Sequence, residues 1–196
     1  MSQTIEYYNQ NADAFYSSTV SADMSSLYVP FLACLPPEGK ILDCGCGSGR
    51  DSKFFMDHGF HVSAIDASRE LCARAERYIG IPVHNIAFDE ITSHNEYDGI
   101  WACASLLHVE KDRLPDILRI LHSALKDSGT LYASFKYGEH SGLRNGRYFT
   151  DLNEHTLKQL IDEAGVFHIY QMWITGDVRA DHENEQWLNL LLKKQI

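Results

Sequence analysis

Short apolar runs alternate with stretches of helical periodicity along most of the chain. Residues 41–44, 61–65 and 83–86 are brief apolar runs, and residues 98–104 are almost continuously apolar, as expected of a central parallel strand covered on both faces. Between residues 112 and 126, leucine and isoleucine recur every three or four positions, which predicts a helix packed on the core. This alternation predicts an α/β fold with a doubly wound, mostly parallel sheet.

Local signals give the ends of the other predicted elements. A helix ends at Pro36, and glycines at 59, 80 and 165 are suited to end three more, because glycine readily adopts the left-handed conformation after a last helical turn. Ser68 and Asn153 are suited to cap the helices that follow them. The remaining predictions are helices at 4–16, 22–35, 50–58, 68–79 and 153–165, a strand at 130–135, a mobile loop at 137–150, and two final strands at 167–175 and 185–193.

The run at 41–44 leads into a turn in which glycines alternate with other residues. Gly45, Gly47 and Gly49 tolerate positive φ and, lacking Cβ atoms, let a ligand lie against bare main-chain N–H groups. Asp43 precedes the turn, and Asp66 ends the next predicted strand, where a carboxylate can accept hydrogen bonds from both ribose hydroxyls of an adenosine. We therefore predict a cofactor site at the carboxyl ends of these strands.

Composition narrows the classes of partner. The 196 residues, 44% of them hydrophobic, suffice for one well-buried core, and a net charge of −10 disfavours a grip on nucleic-acid phosphates. Five scattered cysteines suit a reducing compartment, and Cys44 and Cys46 are interpreted as small buried residues, with no metal site predicted. Since neither a targeting segment nor a membrane span is visible, we expect a soluble, cytoplasmic protein. We also expect a monomer or homodimer.

Two families compete for the glycine turn. Nicotinamide dinucleotide sites use Gly-x-Gly-x-x-Gly, but here the third glycine comes one residue early and Arg50 stands in its place. The sequence instead resembles class I S-adenosylmethionine-dependent methyltransferases. The matching segments are Asp-Cys-Gly-Cys-Gly-Ser-Gly at 43–49, Ala-Ile-Asp-Ala-Ser at 64–68, Tyr-Asp-Gly-Ile-Trp at 97–101 and Ala-Ser-Leu-Leu-His at 104–108. They specify the cofactor well and the acceptor hardly at all.

The resemblance implies a Rossmann-like, doubly wound, mostly parallel seven-stranded sheet that ends in a C-terminal antiparallel hairpin. It implies a single methyltransferase domain over residues 1–196, with a helical cover at 1–36 and a cofactor-binding core at 37–196. An enzyme of this class uses S-adenosyl-L-methionine as its cofactor. The residues expected to contact it are Tyr8, Tyr16, Asp43, Gly45, Cys46, Gly47, Gly49, Arg50, Asp66, Ala67, Phe88, Asp89, Ala104, Ser105 and Leu106.

Several of these roles have a plainer alternative. Asp43 either balances the ammonium group of the cofactor or fixes the turn through backbone hydrogen bonds. Arg50 is either a helix-start side chain or a ligand of the cofactor carboxylate, and Asp89 is either an adenine neighbour or a solvated turn carboxylate. The aromatic residues at 4–16 either dock on the sheet or shield the sulfonium, whose charge favours aromatic faces.

The acceptor side is predicted from fewer signals. Methyl transfer from a sulfonium is an in-line displacement, so no covalent residue is needed. His108 either orients the acceptor and takes its proton, or packs beneath the cofactor. Arg144, Arg147 and Arg179, with Tyr148, predict a small anionic acceptor, because guanidinium groups bind carboxylates and phosphates in bidentate fashion. The alternative for these arginines is surface ion pairs.

Other functions remain open at this stage. A tRNA wobble-uridine carboxymethyl methyltransferase shares the compact core, although the acidic balance disfavours tRNA as a partner. A tellurite or thiol methyltransferase has a similar layout. Outside this class, the alternatives are an NAD(P)-binding oxidoreductase, disfavoured by the glycine spacing and the final hairpin, and a cofactor-binding partner without catalysis.

Overall fold

A computed structural model of the protein describes residues 3–178 and 184–195. The strands are β1 (Lys40–Cys44), β2 (His61–Ile65), β3 (Val83–His84), β4 (Tyr97–Ala102), β5 (Leu125–Lys136), β6 (Ser141–Arg144), β7 (Arg147–Thr150), β8 (Phe167–Gly176) and β9 (Gln186–Lys194). The helices are α1 (Gln3–Gln10), α2 (Ala12–Thr19), α3 (Ser25–Leu32), α4 (Arg50–Asp57), α5 (Arg69–Ile79), α6 (Leu114–Ala124) and α7 (Glu154–Ala164). Short 3₁₀ turns lie at Phe88–Glu90, Leu106–His108 and Lys111–Arg113.

Seven of the strands form one sheet in the order β3-β2-β1-β4-β5-β9-β8. The first five strands of the chain are parallel to one another, and β9 inserts antiparallel between β5 and β8. The predicted mostly parallel sheet with a C-terminal antiparallel pair is therefore confirmed. Because β1 lies between β2 and β4, the carboxyl ends of these three strands open at one edge of the sheet, where parallel α/β sheets bind ligands.

The core follows the predicted apolar pattern. Every residue of β4 is buried, as expected for a strand covered by helices on both faces. On α6, the residues at helical spacing pack against the sheet, and Leu114 and Leu121 are fully buried. Both predicted caps form, since the side chains of Ser68 and Asn153 accept the N–H groups of Leu71 at 3.2 Å and Thr156 at 2.9 Å. Cap geometry thus fixes where α5 and α7 begin.

The N-terminal segment differs from the single helix predicted at 4–16. Two helices form, with Asn11 between them at φ −112° and ψ 18°. The Asn11 side chain donates to the carbonyl of Tyr7 at 2.8 Å, which gives the backbone a local alternative to an unbroken helix. The break divides the predicted helix into α1 and α2.

The predicted mobile loop at 137–150 is wrong over most of its length. Strands β6 and β7 pair antiparallel and are joined by the two-residue turn Asn145-Gly146, whose φ values are 48° and 80°. Asn-Gly is the strongest short-range signal for such a hairpin, because both central residues of a type I′ turn need positive φ. We refer to β6, β7 and this turn as the hairpin.

Element boundaries account for the remaining differences. The second helix is shorter than predicted at 22–35, strand three ends at His84 instead of residue 86, and β5 extends beyond 130–135 at both ends. None of the helices in the described part of the chain combines the length and the apolar character that crossing a bilayer requires.

Candidate cofactor and acceptor site

A cavity of about 1490 Å³ opens at the carboxyl edge of the sheet. We call one side of it the strand-end half, formed by Gly45, Cys46, Gly47, Asp66, Ala67, Phe88, Asp89, Ala104 and Ser105. We call the other side the hairpin half, formed by Tyr8, His108, Arg144, Arg147 and Tyr148. Fourteen residues predicted from the sequence thus line a single cavity. Arg50, which was also predicted, lines it too.

The glycine turn after β1 leaves no room for side chains. Gly45 has φ +77°, and a Cβ atom there would lie 2.5 Å from the Cβ of Ser105. Gly47 has φ +55°, and its Cβ would lie 3.0 Å from the ring of Phe15. Glycine is therefore required at both positions by conformation and by contact.

The main-chain amides of this turn have acceptors inside the protein. Gly45 and Cys46 donate to the carbonyl of Ile65, both at 2.9 Å, and Gly47 donates to Asp66 Oδ2 at 2.9 Å. The Gly49 amide donates to the carbonyl of Cys46 at 2.9 Å. The expectation of bare amides is wrong for these four groups, because three of them donate to Ile65 or Asp66 at the end of β2 and the fourth donates within the turn. What it offers a ligand is a surface free of Cβ atoms.

Asp66 lies where the end of β2 meets the turn. Its Oδ1 accepts the Ser68 amide at 2.8 Å, while Oδ2 accepts the Gly47 amide. Burial raises the pKa of this carboxyl above its usual range, and the two N–H donors act in the opposite direction. An ionised carboxylate has about four acceptor positions, so Asp66 retains lone pairs for hydroxyl groups in the cavity.

Asp43 lies behind the turn and outside the described lining of the cavity. It is only 2% exposed and accepts the Ser52 hydroxyl of α4 at 2.6 Å. Burial, and then the negative charge of Asp51, raise its pKa to about 8. Among the described residues Asp43 has no hydrogen bond to the turn backbone, so that predicted role is wrong, while a role in balancing the cofactor ammonium stays a prediction. It joins β1 to α4.

Sequence reasoning missed a buried cluster around Asp51, which also lines the cavity. Asp51 accepts hydrogen bonds from Tyr28 at 2.6 Å, from Trp101 at 2.8 Å, and from Arg50 at 2.6 and 2.9 Å. Although burial opposes ionisation, the Arg50 charge and these donors hold the pKa of Asp51 low. Arg50 also donates to the carbonyl of Thr19 at 3.4 Å. In the sequence, only the adjacency of Arg50 and Asp51 indicated this cluster.

Three other residues predicted to contact the cofactor are not part of the described cavity lining. Tyr16 packs edge-on against Tyr78 of α5, with ring centroids 6.1 Å apart, because the break at residue 11 turns Phe15 toward the site instead. Leu106 is fully buried in the core, and its neighbour Leu107 reaches the cavity. The Cβ position of Gly49 lies 2.8 Å from Ile79, so this glycine allows α5 to approach the turn. The last predicted contact, Arg179, lies outside the described residues.

The end of β4 carries an unusual backbone. Ala104 has φ +51°, a conformation that residues other than glycine rarely adopt. Its amide donates to the Ser134 hydroxyl at 2.8 Å, and the adjacent Ser105 hydroxyl donates to the Cys44 carbonyl at 2.6 Å. These bonds hold the strained residue at the cavity wall, as is common at ligand sites. Asp89, across the cavity, pairs with Arg113 at 2.8 Å and is exposed.

The hairpin half contains a chain of hydrogen bonds. His108 Nδ1 lies 2.7 Å from the carbonyl oxygen of Tyr148, and His108 Nε2 lies 2.8 Å from the Tyr8 hydroxyl. Since a carbonyl only accepts, Nδ1 carries the proton. Burial, with the nearby charges of Arg147 and Arg144, lowers the pKa of His108 to about 4. The ring is therefore neutral near pH 7, and Nε2 accepts a hydrogen bond from the Tyr8 hydroxyl.

Two hairpin arginines border this chain and differ in their partners. Arg144 forms an ion pair with Asp151 and lies over the Phe149 ring, with its guanidinium carbon 4.4 Å from the ring centre. Arg147 lies 4.7 Å from the Tyr7 ring centre and donates to the Tyr8 hydroxyl at 3.4 Å. No carboxylate of residues 3–178 or 184–195 forms an ion pair with Arg147. The Nε atoms of both arginines are buried without a hydrogen-bond partner among the described residues.

The seven-stranded sheet, with a cavity at its carboxyl edge, defines the fold of the protein. It has the fold of the class I S-adenosylmethionine-dependent methyltransferases, as the sequence motifs predicted. A family model described as a methyltransferase domain matches residues 41–129, which run from β1 into β5. This match confirms the resemblance to methyltransferases of this class that the sequence motifs predicted.

Known proteins similar to the chain differ in what their names say they methylate. The Bacillus subtilis methyltransferase YqeM is 32% identical over 55% of this chain and 48% of its own length. The mitochondrial ubiquinone biosynthesis O-methyltransferase of Schizosaccharomyces pombe is 30% identical over 76% of this chain and 61% of its own length. The chain spans about half the length of the first curated relatives it matches.

A solved structure extends the likeness to nearly the whole chain. The 1,6-didemethyltoxoflavin-N1-methyltransferase of Burkholderia thailandensis, with bound S-adenosylhomocysteine, has a TM-score of 0.79 and covers 98% of this chain and 85% of its own. At 21% sequence identity, this likeness concerns the fold.

Proposed function

We propose that this protein transfers a methyl group from S-adenosyl-L-methionine to a small anionic acceptor. One observation carries the proposal: a single cavity joins the glycine turn and Asp66 to a guanidinium without a described carboxylate partner, that of Arg147. The strand-end half fits an adenosyl-sulfur compound, and the hairpin half fits a negative charge. We further propose that residues 1–196 act as one methyltransferase domain, with α1 and α2 as its cover.

The chain's own residues would hold the cofactor in the following way. Asp66 accepts from the ribose hydroxyls, Ala67 and Phe88 flank the adenine with Asp89 near its edge, and the surface left bare at Gly45 and Gly47 accommodates the methionine portion. The cofactor supplies an activated methyl group, so the protein's task is alignment and exclusion of water. Aromatic rings at Tyr8 and Phe15, whose centroids are 5.1 Å apart, favour a sulfonium charge between the two halves.

Binding of S-adenosylhomocysteine tests this proposal. Asp66→Asn keeps the size of the side chain and removes its charge. The affinity of this variant for S-adenosylhomocysteine, measured by calorimetry, is expected to fall about 10- to 100-fold. The matched control Asp57→Asn changes an exposed carboxylate that pairs with Lys53 outside the cavity, and is expected to bind normally. NADH is expected to give no thermal stabilisation, whereas S-adenosylhomocysteine at 100 times its Kd gives about 2.7 kcal/mol. Equal binding by both aspartate variants contradicts the assignment of Asp66.

The remaining alternatives predict other outcomes. A cofactor-binding partner without catalysis binds S-adenosylhomocysteine but transfers no methyl group to any small acid. A wobble-uridine methyltransferase transfers tritiated methyl groups to bulk tRNA, which a filter-binding assay detects. Neither outcome is expected under the proposal.

A further inference from the structure

We propose that the atom methylated is an ionised carboxylate oxygen of the acceptor, held by Arg147 beside the sulfonium. This inference rests on the proposed function and narrows it to the formation of a methyl ester. It assigns Arg147 to the reacting group itself and not to a distant handle on the acceptor.

The position of Arg147 places a bound anion next to the reacting centre. The Tyr8 hydroxyl accepts from Arg147 Nη1 at 3.4 Å, and the Tyr8 ring is 5.1 Å from Phe15. Phe15 in turn contacts the turn at Gly47, where a Cβ atom would lie 3.0 Å from its ring. Only two aromatic rings therefore separate the guanidinium from the glycine turn. A carboxylate paired with Arg147 would share the cavity with the methyl group of a cofactor seated on the glycine turn.

The guanidinium is prepared for such an anion. It lies over aromatic rings, at 4.7 Å from Tyr7 and 5.1 Å from Phe149, with its Nε buried and unpartnered among the described residues. A buried donor without an acceptor is costly, and a carboxylate can take Nε and one terminal nitrogen together. Arg144, on the paired strand, is instead neutralised by Asp151. Arg147 thus remains the hairpin cation suited to bind a ligand.

The groups around Arg147 do not supply a ready general base. The Nδ1–H of His108 is committed to the Tyr148 carbonyl, and its Nε2 accepts the Tyr8 proton, so neither nitrogen is open to the acceptor. The cavity carboxylates that pair with cations are Asp51 with Arg50, Asp89 with Arg113, Asp151 with Arg144, and Asp177 and Glu185 with Lys136. Of the other two carboxylates in the described lining, Asp66 accepts two backbone amides and Glu110 is exposed. An acceptor that is already ionised needs no base. A carboxylate meets this condition near pH 7.

The proposed step balances without proton transfer. One carboxylate oxygen uses a lone pair to form a bond to the methyl carbon, and the carbon–sulfur bond breaks with its electron pair on sulfur. The products are a neutral ester and a neutral thioether. Because an anion and a cation disappear together, a cavity wall of aromatic rings favours the reaction over bulk water.

The first test uses benzoate and the neutral, isosteric benzamide as probes of the protein saturated with S-adenosylhomocysteine. We expect benzoate to bind about tenfold or more tightly than benzamide by calorimetry, and this preference to disappear in Arg147→Gln. The matched control is Arg69→Gln, an exposed arginine in the first turn of α5, which is expected to keep the preference. Equal binding of the two probes, or a preference that survives in Arg147→Gln, overturns the inference.

The second test identifies the bond formed. The protein is incubated with methyl-tritiated S-adenosylmethionine and a mixture of aliphatic, dicarboxylic and aromatic acids, and the product is treated with alkali. A methyl ester releases volatile tritiated methanol, whereas N-methyl and ether products do not. We expect alkali-released tritium that falls about tenfold or more in Arg147→Gln and persists in Arg69→Gln. Transfer into alkali-stable product only, or no transfer by protein that binds S-adenosylhomocysteine, overturns the inference. Failure to bind S-adenosylhomocysteine instead overturns the proposed function.

Discussion

The two halves of the cavity are built in different ways. The strand-end half comes from consecutive β–turn–helix units, and its geometry is set by backbone register, such as the pairing of Asp43 with Ala64 on β2 and Trp101 on β4. The hairpin half comes from three segments far apart in the chain, joined by side chains of Tyr8, His108 and the backbone of Tyr148. The strand-end half exists once the sheet forms, whereas the hairpin half requires α1 and the hairpin to dock.

This difference predicts that the two halves fail separately. A change in the strand-end half should disturb global stability and binding of S-adenosylhomocysteine, because the same strands form the core. A change in the hairpin half should leave that binding intact and alter acceptor handling. The comparison is wrong if substitutions in either half change S-adenosylhomocysteine binding and acceptor handling to the same extent.

The largest effect is expected for Gly45→Ala. The left-handed conformation costs an L-residue about 1–2 kcal/mol, and the clash with Ser105 adds about 1–3 kcal/mol. We therefore expect the free energy of unfolding, measured in urea, to fall by about 2–5 kcal/mol. Affinity for S-adenosylhomocysteine falls as well, since the turn cannot keep its position.

Gly59→Ala is the matched control. Gly59 has φ +85°, similar to Gly45, but nothing lies within 4 Å of its Cβ position. It is expected to lose about 1–2 kcal/mol and to bind S-adenosylhomocysteine normally. Equal losses in the two variants would mean that conformation, and not contact with Ser105, sets the requirement for glycine at 45.

The strand-end half was largely predictable from sequence because its signals are local. The glycine turn, Asp66 and the Ser105 region each directly follow an apolar strand, and the carboxyl ends of parallel strands meet at one edge. The predictions that were wrong in and around this half depend on the directions in which side chains point. Asp43 faces α4 and not the cavity, and Asp51 gathers donors from α3 and β4, which no local pattern records.

The hairpin half was predicted as residues but not as a structure. His108, Arg147 and Tyr148 were named, yet the hairpin was interpreted as a mobile loop despite its Asn-Gly turn. The bond from Tyr8 to His108 spans 100 positions in the sequence, and the one from His108 to Tyr148 spans 40. Such contacts follow from docking of separate elements, so neither periodicity nor spacing predicts them.

Dependence of stability on pH sharpens the comparison, because His108 in the hairpin half and Asp43 behind the strand-end half contribute with opposite signs. His108 has a pKa of about 4 in the folded protein and an ordinary value of 6.5, so below pH 6.5 the unfolded chain binds the extra proton. Its contribution is fully present above pH 6.5 and is lost as the pH falls toward 4, by about 3 kcal/mol. Asp43 has a raised pKa, so here the folded state binds the extra proton. The contribution of Asp43 to the free energy of unfolding therefore falls as the pH rises from the ordinary aspartate pKa toward 8.

Urea denaturation across pH 4–8 separates these effects. His108→Asn is expected to lose part of the acid-side decline, and Asp43→Asn part of the decline on the other side, each variant leaving the opposite limb unchanged. An acid limb that is the same in the wild type and His108→Asn would mean that the histidine titrates near its ordinary pKa in the folded state.

The smallest effect is expected where α1 meets the hairpin. Buried Thr4 accepts the Tyr148 amide at 2.8 Å through its hydroxyl, so Thr4→Val keeps the shape and removes the acceptor. We expect a loss of about 1 kcal/mol and an approximately fivefold faster hydrogen exchange at the Tyr148 amide, with unchanged affinity for S-adenosylhomocysteine. Thr4→Ser restores the hydroxyl and is expected to restore slow exchange. If Thr4→Val instead weakens S-adenosylhomocysteine binding as much as Asp66→Asn does, the hairpin half takes part in holding the cofactor, and the two halves act as one unit.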